Sequence, residues 1–120
     1  MIGRVDEDKR VLLTVAVQSK PSGDPTSLEA WIDKAFDGHF VFSTALIKEL
    51  DLETLVETEA ILADGTKVTL ETYVAYLNWF GKTLPVQVVA NDGEFPLLGT
   101  ALLDERCLSV NDRDRSLELT

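Results

Sequence analysis

The chain has 120 residues and a mass of 13.3 kDa, enough for one domain that buries a core without disulfides or metals. Hydrophobic residues make up 45% and charged residues 27%, the globular range, and no apolar run approaches the roughly 20 residues of a membrane helix, which excludes a transmembrane anchor. With 21 acidic against 11 basic residues the formal charge is −10, and the lysines and arginines are scattered, which excludes nucleic acid as a partner.

Short apolar stretches recur about every ten residues between Gly, Pro, Asn and Asp, the spacing of an all-β sandwich or barrel. The first residues, Met1 to Glu7, carry no basic segment followed by an apolar one and do not read as a secretory signal, so a cytoplasmic location is the expectation. Val11 to Val17, rich in β-branched residues, predicts a strand, and Lys20 to Ser27 a polar loop. Leu28 to Ile32 and Phe40 to Phe42 predict the next strands. Ser43 then stands where an N-cap opens a short helix with Leu46, Ile47 and Leu50 on one face.

Leu55 to Leu62 and Lys67 to Leu77 flank Ala63-Asp64-Gly65-Thr66, and Asp-Gly between two β-rich runs predicts a hairpin. Asn78 to Gly81 reads as a turn, Thr83 to Ala90 as a strand, and Asn91 to Glu94 as a second polar turn. Thr100 to Asp104 fits one helical turn. Cys107 to Val110 and Ser116 to Leu119 fit two closing strands around the charged turn Asn111 to Arg115. No tandem repeat or low-complexity segment interrupts residues 1–120, which read as a single domain.

Several polar residues have plain structural explanations. Cys107, the one cysteine, lies among Leu103, Leu108 and Val110 and reads as a buried, inert thiol. His39, the one histidine, has no second His or Cys nearby, so no metal site is expected and the residue reads as exposed or on an edge strand. Glu49, Asp51, Glu53, Glu57 and Glu59 read as a solvated acidic face, and Trp31, Trp79 and Phe80 as core or interface anchors.

The block Ala30-Trp31-Ile32-Asp33-Lys34-Ala35-Phe36-Asp37-Gly38-His39-Phe40-Val41-Phe42-Ser43 resembles the active-site segment of bacterial retropepsin-like aspartic proteases. That segment runs from an apolar pair through Asp-Thr-Gly, Phe, any residue and Gly to alternating apolar residues. Asp33, Phe36 and Gly38 match it, as does the helix carrying Leu46, Ile47, Leu50 and Leu52. Further on, Leu62-Ala63-Asp64-Gly65 resembles the family's flap hairpin, and Pro96-Leu97-Leu98-Gly99 its second-half motif. Leu102-Leu103 and Leu108 to Asp112 resemble its last helix and closing strand. Each motif alone is a common string, and their order and spacing carry the likeness.

The resemblance implies an all-β fold: a closed retropepsin-like β-barrel with one or two short helices and one lobe per chain. It implies a polypeptide substrate or peptide ligand, no cofactor, and a homodimer in which Asp33 and its twin share one proton across a two-fold axis. One departure bears on activity. Where the family has Asp-Thr-Gly or Asp-Ser-Gly, this chain has Asp33-Lys34-Ala35. Lys34 has only donors and cannot replace the hydroxyl that clamps the two loops across the axis. Ala35 replaces a glycine that allows close backbone approach and special dihedrals. The reading is a peptidase-family member whose catalysis is impaired or lost, dimeric if active and otherwise open to a monomeric state. The alternative is a non-catalytic module on the same fold that binds peptide or protein by strand addition, or that serves only to dimerise.

Overall fold

The computed structural model describes residues 1–61 and 63–120, apart from the side chains of 56–60 and 68–70. Strands β1 (Ile2–Val5), β2 (Val11–Gln18), β3 (Thr26–Ile32) and β4 (Phe40–Ser43) precede helix α1 (Thr44–Leu50). Then come β5 (Glu53–Ile61), β6 (Lys67–Trp79), β7 (Lys82–Asn91), β8 (Leu97–Leu98), a 3₁₀ turn (Thr100–Leu102), β9 (Leu108–Asn111) and β10 (Ser116–Leu119). The all-β expectation with one or two short helices therefore holds. No helix among the described residues is long and apolar enough to cross a membrane.

All ten strands join one sheet in the order β5-β6-β7-β4-β8-β3-β2-β1-β10-β9, and a further pairing of β2 with β6 closes β6, β7, β4, β8, β3 and β2 into a ring. Two parallel pairs lie at its centre: Ile32 of β3 sits opposite Leu98 of β8, and Phe40 of β4 opposite Val88 of β7. β2 pairs with β1, β3 and β6, and its Leu12, Leu13, Val15 and Val17 are all buried. Phe40 and Phe42 fill the middle of the ring with their rings 5.1 Å apart, packed with Leu77, Val88 and Leu98.

The local signals act where the sequence places them. Ser43 Oγ accepts the Leu46 amide at 3.1 Å and caps α1, whose Ile47 is buried. The β5–β6 hairpin turns through Asp64 and Gly65, with Gly65 at φ 85°. The turn expected over Asn78 to Gly81 is tighter, because Asn78 and Trp79 belong to β6 and Phe80 and Gly81 alone form the bend, at φ 48° and 82°. A bulky residue in the left-handed region is costly. Phe80 is held there by Arg106, 3.6 Å above its ring, and by an edge contact with Trp79 at 5.1 Å.

Three expectations need correction. β1 had no counterpart in the sequence reading: of its four residues only Val5 is buried, Ile2 is 79% exposed, and Gly3 admits a close approach, since a Cβ there would lie 2.2 Å from the Leu12 carbonyl. Cys107 is exposed, not buried, because it leads into β9, which among the described residues has a neighbour on one side only. His39 is half-buried, and the strand it precedes is internal, flanked by β7 and β8. Of the expected acidic face, Glu49, Asp51 and Glu53 are exposed, while the side chains of Glu57 and Glu59 lie outside the described residues.

Candidate active site

Asp33 follows the last residue of β3. Side chains alternate along a strand, so with Ile32 turned into the core and Trp31 39% exposed, Asp33 points away from the core and is half-buried. Its amide donates to the Leu98 carbonyl at 2.9 Å, its carbonyl accepts from Phe36 N at 3.2 Å, and its Oδ1 accepts from Ala35 N at 2.9 Å. The last bond is an Asx turn: the carboxylate organises the loop that carries it.

The rest of the loop is tied to the second-half motif along its length. Trp31 N donates to Pro96 O at 2.8 Å, Gly99 N to His39 O at 2.8 Å, Thr100 N to Phe36 O at 2.8 Å and Ala101 N to Gly38 O at 3.3 Å. Two glycines permit this contact. A Cβ on Gly99 would lie 2.1 Å from Gly38 O and 2.6 Å from the Phe36 ring, and one on Gly38 would lie 2.5 Å from that ring. The structure thus brings Asp33 against Leu98, and Phe36, Gly38 and His39 of the same loop against Gly99 and the turn after it, while Lys34 and Ala35 are exposed. The Ala63-Asp64-Gly65 turn closes the β5–β6 hairpin, whose β6 pairs with β7, and Leu62 lies outside the described residues. Thr66, through its hydroxyl and its amide at 2.9 Å, holds Asp64 below its usual carboxylate range.

Ala35 is accommodated within one protomer. It is absent from the residues with positive φ, and its amide completes the Asp33 turn, so its methyl group forces no different bend there. Lys34 is exposed and lies between two depressions. One, of about 430 Å³, is bounded by Thr100, Leu103, Asp104 and Arg106; the other, of about 360 Å³, by Val11, Ile32, Leu108 and Val110. Among the described residues no group of three or more His, Cys, Asp or Glu is placed to hold a metal.

Sequence reasoning missed two neighbours of the site. Arg10 stacks 4.0 Å over Phe95 and 5.8 Å over Trp31, the residue two before Asp33, and Asp6 and Asp8 hold its guanidinium at 2.7 and 3.0 Å. These residues are remote in sequence, and nothing local announces that they meet. The second is His39, whose Nδ1 accepts the Gln87 amide at 3.0 Å and so links the loop to β7.

Burial pushes the His39 pKa below 6.5, and protonation would remove the acceptor used by Gln87. A folded-state value below the unfolded one means that the unfolded chain takes up the proton first. The stability that neutral His39 contributes is complete above about pH 6.5 and is lost as pH falls through the folded-state value. Melting temperatures measured from pH 7.5 downward are expected to fall less steeply in His39→Gln than in the unaltered chain; parallel profiles would remove His39 from the acid response.

The chain matches no protein-family profile and no curated protein sequence. Solved structures do match. A retropepsin-like aspartic protease from Rickettsia conorii superposes with a TM-score of 0.70 at 14% identity, over 99% of this chain and 88% of that one. EIAV protease complexed with the inhibitor HBY-793 superposes with a TM-score of 0.55 at 19% identity, over 83% of this chain and 90% of that one. Identities this low speak for the fold. Together with the closed ring of strands, these likenesses show that this chain has the fold of a retropepsin-like aspartic protease.

Proposed function

We propose that the chain is a retropepsin-type aspartic peptidase in which two copies bring their Asp33 side chains together, and in which Lys34 impairs the resulting dyad. The observation that carries the reading is the Asp33 loop. Its carboxylate is fixed by Ala35 N and its backbone by Leu98 O, on a fold shared with two proteases. In such a dyad one carboxylate takes a proton from water as the oxygen attacks a peptide carbonyl, and the protonated partner donates to the carbonyl oxygen. One chain supplies one such aspartate, so the site needs a second copy. The substrate is polypeptide in extended form, and the Ala63-Asp64-Gly65 turn is the proposed flap over it.

Lys34 works against this chemistry in two ways. It offers no acceptor for a clamp across the axis, and its ammonium group beside the dyad favours the state with both carboxylates charged, which lacks the shared proton. The second reading, a peptide-binding or dimerisation module on the same fold, is favoured by the same residue.

The test compares the unaltered chain with Lys34→Thr/Ala35→Gly on a fluorogenic peptide library from acid to neutral pH. The altered chain is expected to cleave, with activity lost on adding Asp33→Asn, and the unaltered chain to be slower by at least about a hundredfold. Cleavage by the unaltered chain that Asp33→Asn abolishes would overturn the account of Lys34. Cleavage by neither would leave the binding module as the function.

A further inference from the structure

Trp31 and Asp33 turn away from the core on the same side of the chain, two residues and so roughly 7 Å apart. A polypeptide laid across Asp33 in extended form therefore sets a side chain within two positions of the residue at Asp33 against the indole. Trp31 is 39% exposed although its ring meets Phe95 edge-on, with centroids 6.5 Å apart, whereas the other tryptophan, Trp79, is buried. An indole open to solvent beside the Asp33 loop is a surface for a ligand, and its negative face takes either another ring or a cation.

Charge selects between them. Arg10 already belongs to this wall, its guanidinium 4.0 Å over Phe95 and 5.8 Å over Trp31, and Asp6 and Asp8 hold it at 2.7 and 3.0 Å. Two carboxylates on one guanidinium leave the trio with a net negative charge, so Arg10 contributes its plane and offers no counter-ion to an acidic side chain. The same turn adds Glu7 against Lys9, and the 91–94 turn that leads into Phe95 adds the exposed Asp92 and Glu94 with no cation. Arg4, near enough to Asp6 to feel its charge, is committed to Glu29 through two bonds of 2.8 Å. Lys34 lines the depressions on the side of Leu103 and Leu108. The wall is thus aromatic within an acidic surround, an arrangement that attracts a cation and repels a carboxylate.

We propose that the Asp33 site selects a lysine or arginine side chain of its polypeptide, held on Trp31 between the acidic turns 6–8 and 92–94, within two positions of the residue at Asp33. The inference rests on the reading that extended polypeptide lies across Asp33, and it names the substrate class of that site. It concerns binding, so it applies to the unaltered chain whether or not Lys34 prevents cleavage.

The test uses three pools of ten-residue peptides with capped ends, randomised over Ser, Thr and Val and alike except for one central lysine, norleucine or glutamate. In calorimetric titrations of the unaltered chain the lysine pool is expected to bind about tenfold more tightly than the norleucine pool, and the glutamate pool more weakly than either. Trp31→Leu keeps the apolar bulk and removes the ring. It is expected to cut the lysine advantage to about threefold or less while norleucine binding is retained, a split that misfolding cannot imitate. Asp8→Asn, at a side chain 76% exposed, is expected to narrow the gap between lysine and glutamate by about threefold. A norleucine or glutamate pool bound as tightly as the lysine pool, or a lysine advantage unchanged in Trp31→Leu, would overturn the proposal and leave peptide binding at Asp33 standing. No pool bound by either the unaltered chain or Lys34→Thr/Ala35→Gly would remove polypeptide from the Asp33 site and the proposal with it.

Discussion

Gly99→Ala is expected to destabilise the chain by about 3 kcal/mol or more, lowering the melting temperature by roughly 10 °C or beyond. The reason is space. Gly99 has φ −93° and ψ 173°, extended backbone that alanine adopts freely, so no dihedral strain is involved. The added Cβ would instead lie 2.1 Å from Gly38 O and 2.8 Å from Phe36 O, and neither is the yielding end of a side chain. To admit it the loop must lift from the second-half motif. That movement opens the bonds from Gly99 N to His39 O, Thr100 N to Phe36 O and Ala101 N to Gly38 O, and it moves the Phe36 ring.

Gly23→Ala is the control. There the nearest atom to a new Cβ is Lys20 O at 3.4 Å, an ordinary contact, and the change is expected to stay within about 0.5 kcal/mol in either direction. Thermal melts of the two variants against the parent decide the matter. If Gly99→Ala melts with Gly23→Ala, then the seating of the Asp33 loop is looser than the hydrogen bonds indicate.

What was readable in the sequence was local. Ser43 before an apolar helical face and Asp64-Gly65 between β-rich runs each specify a cap or bend through the residues that form it, and each stands where it was expected. What escaped depends on partners distant in sequence. β1 is four residues with a single buried side chain, and its pairing with β2 and β10 becomes visible only once Gly3 lies against Leu12 and Leu117. Cys107 has apolar neighbours in sequence, yet its exposure follows from β9 being the last strand of the sheet among the described residues. Arg10, Trp31 and Phe95 come from three segments far apart in the chain.

Ala35 shows the same limit at the site itself. An alanine in place of glycine suggests strain, but whether strain exists depends on φ at that position. Here φ is not positive, and the alanine amide is the donor that the Asp33 carboxylate uses. Within one protomer the proposed impairment of catalysis is therefore assigned to Lys34 rather than to Ala35.

Lys34→Thr alone is accordingly expected to recover most of the activity gained by Lys34→Thr/Ala35→Gly, and Ala35→Gly alone almost none. The direction of the effect follows from charge. Lys34 adjoins Asp33 in the loop, and an ammonium group near the proposed dyad would favour both carboxylates being charged over the proton-sharing state. Threonine removes the ammonium group and restores a hydroxyl that both donates and accepts, so charge and clamp are repaired together. Lys34→Met separates the two contributions: it removes the charge at similar length without supplying the hydroxyl. If the charge dominates, kcat/KM on the best library peptide rises in the order Ala35→Gly, Lys34→Met, Lys34→Thr, with the largest step at loss of the lysine. A step confined to Lys34→Thr would assign the defect to the missing clamp, and a step confined to Ala35→Gly would mean that the glycine acts across the two-fold axis rather than within the loop.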